Sequence, residues 1–311
     1  MDKTQLDLEN KYLKKVLKEL KKQKDKTMLQ IDGLEKQKKD LSKQYSEDYY
    51  TMDDEEALTE GDRLAEFDNI INFEQNNLTR LSRQEYSPYF GRIDFKQGNK
   101  EDIYYIGVHN LVQDGADLPL VCDWRAPVSS LFYDYETGDA SFNAPDGTVN
   151  GEITLKRQYE IKNGELLHTF DSALTIGDEI LKDVLSQNTT SKMKTIVSTI
   201  QKEQNKIIRA NMNRSMLVQG VAGSGKTSIA LHRIAYLLYQ NKNTLKAEDV
   251  LILSPNKLFS EYISEVLPEL GEENISQMSL YRLAQDELKY LNIDIEKRED
   301  NLEEVVRSRS R

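Results

Sequence analysis

Gly220-Val-Ala-Gly-Ser-Gly-Lys226-Thr227 is the stretch on which the reading of this 311-residue chain turns. It meets every fixed position of G-x-x-x-x-G-K-[ST], the phosphate-binding loop pattern. That pattern carries weight only between a strand and a helix. Ser215-Met-Leu-Val-Gln219 is a short apolar run that predicts a buried strand, and Thr227 to Tyr239 holds Ile229, Leu231, Ile234, Ala235, Leu237 and Leu238 at helical spacing. Gly220, Gly223 and Gly225 allow tight turns and a close approach of backbone to ligand. Gly220, Val221, Ala222, Gly223, Ser224, Gly225, Lys226, Thr227 and Ser228 are therefore the candidate binding residues. Backbone N–H groups from about Ala222 to Thr227 form an anion nest at a helix N-terminus. Lys226 is expected to reach the β- and γ-phosphates of a nucleotide, and the Thr227 hydroxyl to ligate Mg²⁺.

Composition narrows what such a loop can serve. The net charge of −11 argues against a protein that coats nucleic acid generally. The single cysteine, Cys122, permits no internal disulfide, fits a reducing cytoplasm and reads as a buried apolar residue. The N-terminus is rich in lysine and broken by acids, so it is not a signal peptide. No apolar run reaches membrane-spanning length. His109, His168 and His232 are scattered and give no metal-ligand spacing.

Ahead of the loop lies a predicted arm. Leu6, Leu13, Leu20, Thr27, Leu34 and Leu41 recur every seven residues, with Leu17, Ile31 and Tyr45 in a second row broken by Asn10, Lys24 and Lys38. This is an imperfect coiled-coil seam. A second helix, about Glu55 to Glu85, repeats Ala57, Leu64, Ile71 and Leu78, with Phe67 and Leu81 alongside. Asp53 is a plausible N-cap. A fold near Thr51 would set Tyr45 opposite Leu58 and Leu20 opposite Arg83, leaving the Leu6–Leu17 part to pack on a globular body. The lysine-dense outer face of the first helix reads as a solvated surface. The turn between the helices is acidic, through Glu47, Asp48, Asp53, Asp54, Glu55 and Glu56.

From Tyr86 to about Phe170, β-type runs alternate with turn residues: Arg92–Lys96, Ile103–Val108, Leu118–Asp123, Ser129–Tyr135, Ala140–Asn143, Glu152–Ile161 and Leu166–Phe170. They predict a compact antiparallel module. Asp123-Trp-Arg-Ala-Pro127 holds the only tryptophan and reads as structural, at a strand end. Helices are expected at about Ile176–Leu185 and Lys192–Asn213. Beyond the loop, Asp249-Val-Leu-Ile-Leu-Ser254 predicts a second core strand. A helix at about Leu258–Leu267, a third apolar stretch at Ile275–Leu280 and a helix near Tyr281–Leu291 follow. Strand and helix in alternation mean an α/β domain with a parallel sheet.

Nucleotide hydrolysis on such a fold needs an acid at the end of a second strand. No apolar run after residue 230 ends in Asp. Leu118-Pro-Leu-Val-Cys-Asp123 has that form, but it precedes the loop and reads as a decoy. Glu296 to Arg311 is too polar for a core strand, so the nucleotide domain reads as cut short.

The order of parts resembles the N-terminal portion of the HelD family, helicase-like superfamily 1 ATPases that recycle bacterial RNA polymerase. The resemblance rests on Ser87-Pro-Tyr-Phe-Gly-Arg-Ile-Asp-Phe95, Asp123-Trp-Arg-Ala-Pro-Val-Ser-Ser-Leu131, Leu155-Lys-Arg-Gln158, Thr175-Ile-Gly-Asp-Glu179, the stretch from Ile196 to Ile208, the loop itself, Ser254-Pro-Asn256 and Val266-Leu-Pro-Glu-Leu-Gly-Glu272. It implies that Gln204 reads the adenine edge, so that the cofactors are ATP and Mg²⁺. It implies that Val250–Asn256 lies near a nucleic-acid track, with DNA as a further partner. It also implies that the arm enters the secondary channel of RNA polymerase, as the Gre transcript-cleavage factors do, with Asp53 and Asp54 at its working tip. Full members carry further ATPase motifs and a second RecA-like domain, so turnover by this chain alone is not expected.

The expected fold is α+β and multidomain. It comprises a coiled-coil arm over 1–86, an antiparallel β module over 87–172 and an incomplete P-loop domain over 173–311. Two other readings fit the order of parts less well. A UvrD/Rep-type DNA helicase fragment would begin near the glutamine, without arm or β module. A structural coiled-coil ATPase would carry its loop before the coil, the reverse of the order found.

Overall fold

The computed structural model describes residues 3–48, 50, 52–116, 118–171, 200–212, 215–221, 223–254 and 275–289, with Ser260, Glu261, Ile263, Ser264, Val266, Leu267 and Leu270. Thr51, the helix expected at Ile176–Leu185, residues 192–199 and 213 of the helix expected at Lys192–Asn213, residues 258, 259, 262 and 265 of that expected at Leu258–Leu267 and the polar C-terminal stretch lie outside the described residues. Two compact units divide the chain, Met1–Lys206 and Ile207–Arg311.

The first unit begins with α1 (Lys3–Asp48) and α2 (Asp54–Tyr86). At 46 residues, α1 is roughly 70 Å long. The heptad rows pick out the seam: Leu13, Leu20, Thr27 and Ile31 are buried on α1, and Ile71 and Leu81 on α2. Leu6 departs from it, remaining exposed. Asp53 caps α2, its Oδ1 accepting from the N–H groups of Glu55 and Glu56 at 3.0 and 2.9 Å. Glu56 reaches back to the Asp53 N–H, completing a capping box. Ion pairs Lys24–Glu85 and Lys38–Asp68 tie the two helices together on their flanks.

The sheet behind the arm comprises β1 (Gly91–Gln97), β2 (Lys100–Gly107), β3 (Cys122–Asp123), β4 (Gly138–Ala144), β5 (Gly147–Lys162) and β6 (Glu165–Asp171). The order is β3-β2-β1-β5-β4, with β6 also on β5. β5 is 16 residues long and serves three partners along its length: β4 first, then β1, then β6. All pairings are antiparallel except β2–β3, which is parallel. Ser129–Tyr135, expected as a strand, is instead a short helix, α3 (Ser130–Asp134). Its three consecutive buried residues, Leu131, Phe132 and Tyr133, give the apolar run a strand would show. The chain turns there because Ser129 Oγ donates to the Asp123 carbonyl at 2.7 Å and successive i to i+3 bonds follow Asp123.

Both carboxylate oxygens of Asp123 are engaged by Arg125. Oδ1 accepts from the Arg125 N–H and Nε, and Oδ2 from Arg125 Nη2 at 2.7 Å. Both residues are buried, and Trp124 between them is fully so. The motif is a strand-end lock, as its position predicts. Cys122 is buried beside it, and desolvation pushes its thiol up to about 12.

The base of α1 is part of this unit's core. Leu13, Val16 and Leu20 pack with Leu81, Tyr89, Tyr105, Leu111, Leu120, Val121, Tyr159 and Ile161. Tyr12 stacks on Tyr105 with ring centroids 3.8 Å apart. Each aliphatic side chain so buried contributes about 1.5–3 kcal/mol. Glu9 lies at the edge of this cluster, 1% exposed. Its Oε1 accepts from Arg92 and Arg157 at 2.7 and 2.8 Å, and its Oε2 from the Tyr105 hydroxyl at 3.0 Å. Arg92 is held in turn by both oxygens of Asp94, and Arg157 by Asp171.

The second unit contains α5 (Lys226–Gln240), a parallel pair β7 (Leu251–Leu253) and β8 (Ser276–Met278), and α6 (Leu280–Leu288). α4 (Lys202–Ile208) runs across the boundary between units. The parallel pairing agrees with the α/β expectation. Ser215–Gln219 does not form the expected buried strand: residues 215–220 belong to no strand or helix, and Leu217 is 91% exposed. A strand exists through its neighbour's hydrogen bonds, and among the described residues β7 and β8 pair only with each other.

Removing the Glu9 carboxylate would leave two largely desolvated arginines short of a counter-charge. Glu9→Ala is expected to destabilise the first unit by about 3 kcal/mol, read as a lowered urea midpoint. A change below about 0.5 kcal/mol, the scale of ordinary surface substitutions, would show that the pairs do not anchor the arm.

Candidate functional site

The phosphate-loop residues are built by the start of α5. Every residue of Gly220–Thr227 except Ala222 is described. Gly223 and Gly225 have φ of 81° and 80°, a region L side chains avoid. A Cβ on Gly220 would come within 2.6 Å of Ser224 Oγ. Gly225 is the N-cap of α5 and supplies no side-chain acceptor, so no cap side chain claims the first-turn N–H groups. Ile229 N–H closes the first helical bond to the Gly225 carbonyl at 2.8 Å.

Lys226 folds over the loop. Its Nζ donates to the carbonyls of Gly220 and Val221 at 2.9 and 2.7 Å. An ammonium has three donors, so the loop holds the charge at its own mouth. Thr227 and Ser228 are half-buried in the first turn. Compact turns at positive φ, a helix N-terminus open at its cap and a tethered cation are features of the kind that suits an anionic polyphosphate. The fit is of residue type and backbone.

Gln204 lies on α4, in the first unit, whereas the loop lies in the second. Its Oε1 accepts from the Gln201 N–H at 3.0 Å, the backward half of a capping box, which fixes the amide orientation. The next residue, Asn205, is fully buried and donates to Asp134 at 2.9 Å.

At the other candidate site, Asp53 is exposed at the turn between α1 and α2 and serves as the cap described above. Asp54 is the first residue of α2, and its side chain lies outside those described. Tyr50 beside them is 94% exposed.

Two further residues on α5 make contacts that the local sequence does not signal. Arg233 donates to four backbone carbonyls: Nη1 to Ile207, Ile208 and Ala210, and Nη2 to Asn211. Nothing in the local pattern marks it, since its partners lie more than twenty residues upstream. His232 is buried one turn after Ser228, with Nδ1 2.6 Å from the Ser228 carbonyl, to which a protonated Nδ1 donates. Burial holds its pKa down at about 4, against the partial support of that bond.

The unfolded chain, with an ordinary imidazole near 6.5, binds the proton that the folded helix refuses. Stability is therefore intact above about pH 6.5 and falls as pH drops towards 4, by about 3 kcal/mol in all. His232→Gln is expected to remove that slope from pH-dependent unfolding of the second unit. An unchanged slope would mean that His232 titrates normally.

Among the described residues, no helix is long and apolar enough to cross a membrane. The family model for the N-terminal domain of DNA helicase IV, HelD, matches residues 6–192. That for the UvrD/REP helicase N-terminal domain matches residues 200–306. A comparison with curated proteins gave no match. The UvrD-type family implies nucleotide use, typically with Mg²⁺. With the first model covering more than half of its length, the chain belongs to the HelD-like helicases of the UvrD/Rep superfamily, whose N-terminal domains it carries.

Proposed function

We propose that this helicase-like protein binds ATP with Mg²⁺ and engages bacterial RNA polymerase through its arm, helping to release the enzyme from nucleic acid. The observation that carries the nucleotide half is the loop: two glycines at positive φ lead into a helix with an open N-terminus, and Lys226 is tethered at the mouth. Gly220 to Ser228 would hold the phosphates, Lys226 would neutralise their charge, Thr227 would meet the metal, and Gln204 would read the adenine edge. ATP, when bound, supplies the free energy of its phosphoanhydride bond.

The polymerase half is supported by family membership and by the arm. A helical hairpin roughly 50 Å long along α2 is fixed at its base by the core and exposes an acidic turn at its far end. A stiff rod of this kind suits a narrow channel. The working division would be arm 1–86, β module 87–172 and P-loop domain 173–311. DNA is a further candidate partner of the last, and the cytoplasm is the compartment this reading requires. A UvrD/Rep-type DNA helicase fragment is the alternative, favoured by the match over residues 200–306.

Lys226→Ala is expected to weaken ATP binding by about 10- to 100-fold, the scale of a lost hydrogen bond to a charged group, measured by calorimetry. Equal affinity would remove the loop from the site. For the arm, the test is capture of purified RNA polymerase. A variant lacking residues 35–70, joined by a short glycine linker, keeps the buried base and should lose capture. The double variant Asp53→Asn with Asp54→Asn should keep capture and helicity, since Asn also caps, but lose the effect on polymerase release. Undiminished capture by the shortened arm would favour the DNA helicase alternative.

A further inference from the structure

The proximal half of α1 carries a stripe of one charge sign. Lys11, Lys15, Lys18, Lys22 and Lys26 follow at intervals of three and four residues, with Lys14 and Lys21 beside them, and all seven are exposed. At 3.6 residues per turn they fall within an arc of roughly 140° and run about 22 Å along the axis. The buried Leu13, Val16, Leu20 and Thr27 lie on the opposite side. Asp25 is the one exposed acid on that arc. Of the seven lysines, only Lys22 forms an ion pair among the described residues, with Asp114 at 3.2 Å and Glu19 at 3.8 Å. The distal half of the helix differs. There Lys36, Lys39 and Lys43 share their face with Asp32, Asp40 and Glu47, and Lys43 pairs with Glu47. A solvated helix surface is built in that interleaved way, because opposite charges four residues apart attract and like charges repel. Lys11–Lys15, Lys14–Lys18, Lys18–Lys22 and Lys22–Lys26 are all like-charged at that spacing, in a chain whose net charge is −11.

The stripe runs into a cleft of about 300 Å³ lined by both helices and by Asp114 in the loop after β2. Lys22 and Lys26 reach the cleft from α1, and Arg80 from α2. Arg80 is half-buried and donates to the Asn77 side-chain oxygen at 2.7 Å. Burial draws the pKa of its guanidinium down, with partial support from Asp123. Glu19, Glu74 and Asp114 also line the cleft, but Lys22 meets the first and last, and Glu74 accepts from the Asn77 amide at 3.3 Å. Among the described residues, neither Lys26 nor Arg80 forms an ion pair.

We infer that this stripe, with Arg80 at its distal end, is a docking surface for the phosphate backbone of duplex DNA. Protein interfaces are centred on aromatic and apolar anchors and are poor in lysine, whereas α1 exposes no large apolar side chain between Lys11 and Lys26. Single strands are held by bases stacking on aromatic rings, and the stripe presents none. A duplex is a stiff line of charge, one per about 1.7 Å of axis. A straight row of ammonium groups meets it without having to order the ligand. Neutralising those phosphates releases counterions and gives affinity without sequence preference. The inference is independent of the phosphate loop, which lies in the other unit.

The test is the salt dependence of binding. Anisotropy of a short labelled duplex, and of one of its strands alone, is measured on the full chain without nucleotide, between about 50 and 200 mM salt. The proximal variant carries Lys11→Gln, Lys15→Gln and Lys18→Gln, none of them in an ion pair; the distal control carries Lys36→Gln, Lys39→Gln and Lys43→Gln. The proximal variant is expected to flatten the plot of log affinity against log salt by about 2 to 3 for the duplex, and to weaken binding at least about tenfold at the low-salt end. Arg80→Gln should flatten it by about 1. The distal control should change it by less than about 1, and the single strand should lose less than the duplex. Removing like-charged neighbours should leave the urea midpoint of the proximal variant unchanged or raised, so that lost binding is not lost folding. Equal losses in both triple variants would make the effect one of net charge and overturn the inference. So would an unchanged slope in the proximal variant, or a greater loss on the single strand. Loss of polymerase capture with duplex binding intact would assign the stripe to a protein interface instead.

Discussion

One carboxylate connects the parts of the first unit. Glu9, on the long helix, is shared by Arg92 of β1 and Arg157 of β5, and each arginine holds a second acid from the sheet. Three acids and two arginines thus form a closed set in which each guanidinium bridges two carboxylates. Desolvating such groups costs several kcal/mol per ion and is offset only by complete pairing. A helix displaced by one turn would take the Glu9 carboxylate away from both arginines at once. The set therefore fixes which turn of α1 meets the sheet more sharply than the surrounding leucines and tyrosines, which tolerate sliding. Everything distal on the arm inherits its direction from this contact.

The seam of that arm was legible in sequence because burial there obeys a seven-residue period. Leu13, Leu20 and Thr27 are buried where the rows put them, and Tyr12, Leu13 and Leu17 of the Leu6–Leu17 part do turn to a globular body, while Leu6 stays exposed. Glu9 was not legible. A charged residue on a lysine-rich helix reads as solvated, and its partners are 83 and 148 positions away. Val16 was missed for a related reason: it serves the sheet and lies off the seam. Ser129–Tyr135 misled because three adjacent buried residues suit a buried strand and a one-turn helix alike.

The nucleotide unit divides along a similar line. The glycines, Lys226 and the following helix are local features, written in adjacent residues, and they were readable. The apolar run before them suggests a strand by hydrophobicity alone, yet a strand is defined by what lies beside it. Arg233 was invisible for the same reason that Glu9 was: its meaning lies in carbonyls contributed by another segment. In both units, the short-range code names the elements, and single charged side chains reaching across the fold decide how the elements meet.

The ties between α1 and the β module run from Glu9, or from Gln5 by its contact with Arg157, to Gln23, which donates to the Val112 carbonyl in the loop after β2. Past that point the described ties, such as Lys38–Asp68, run from helix to helix. The shaft is thus a ruler mounted on a fixed bracket. Matched insertion or removal of seven residues in both helices would lengthen or shorten it by about 10 Å and leave the bracket unaltered. Reach can drift between related chains in whole heptads, while the footing changes only at the cost of the body's core.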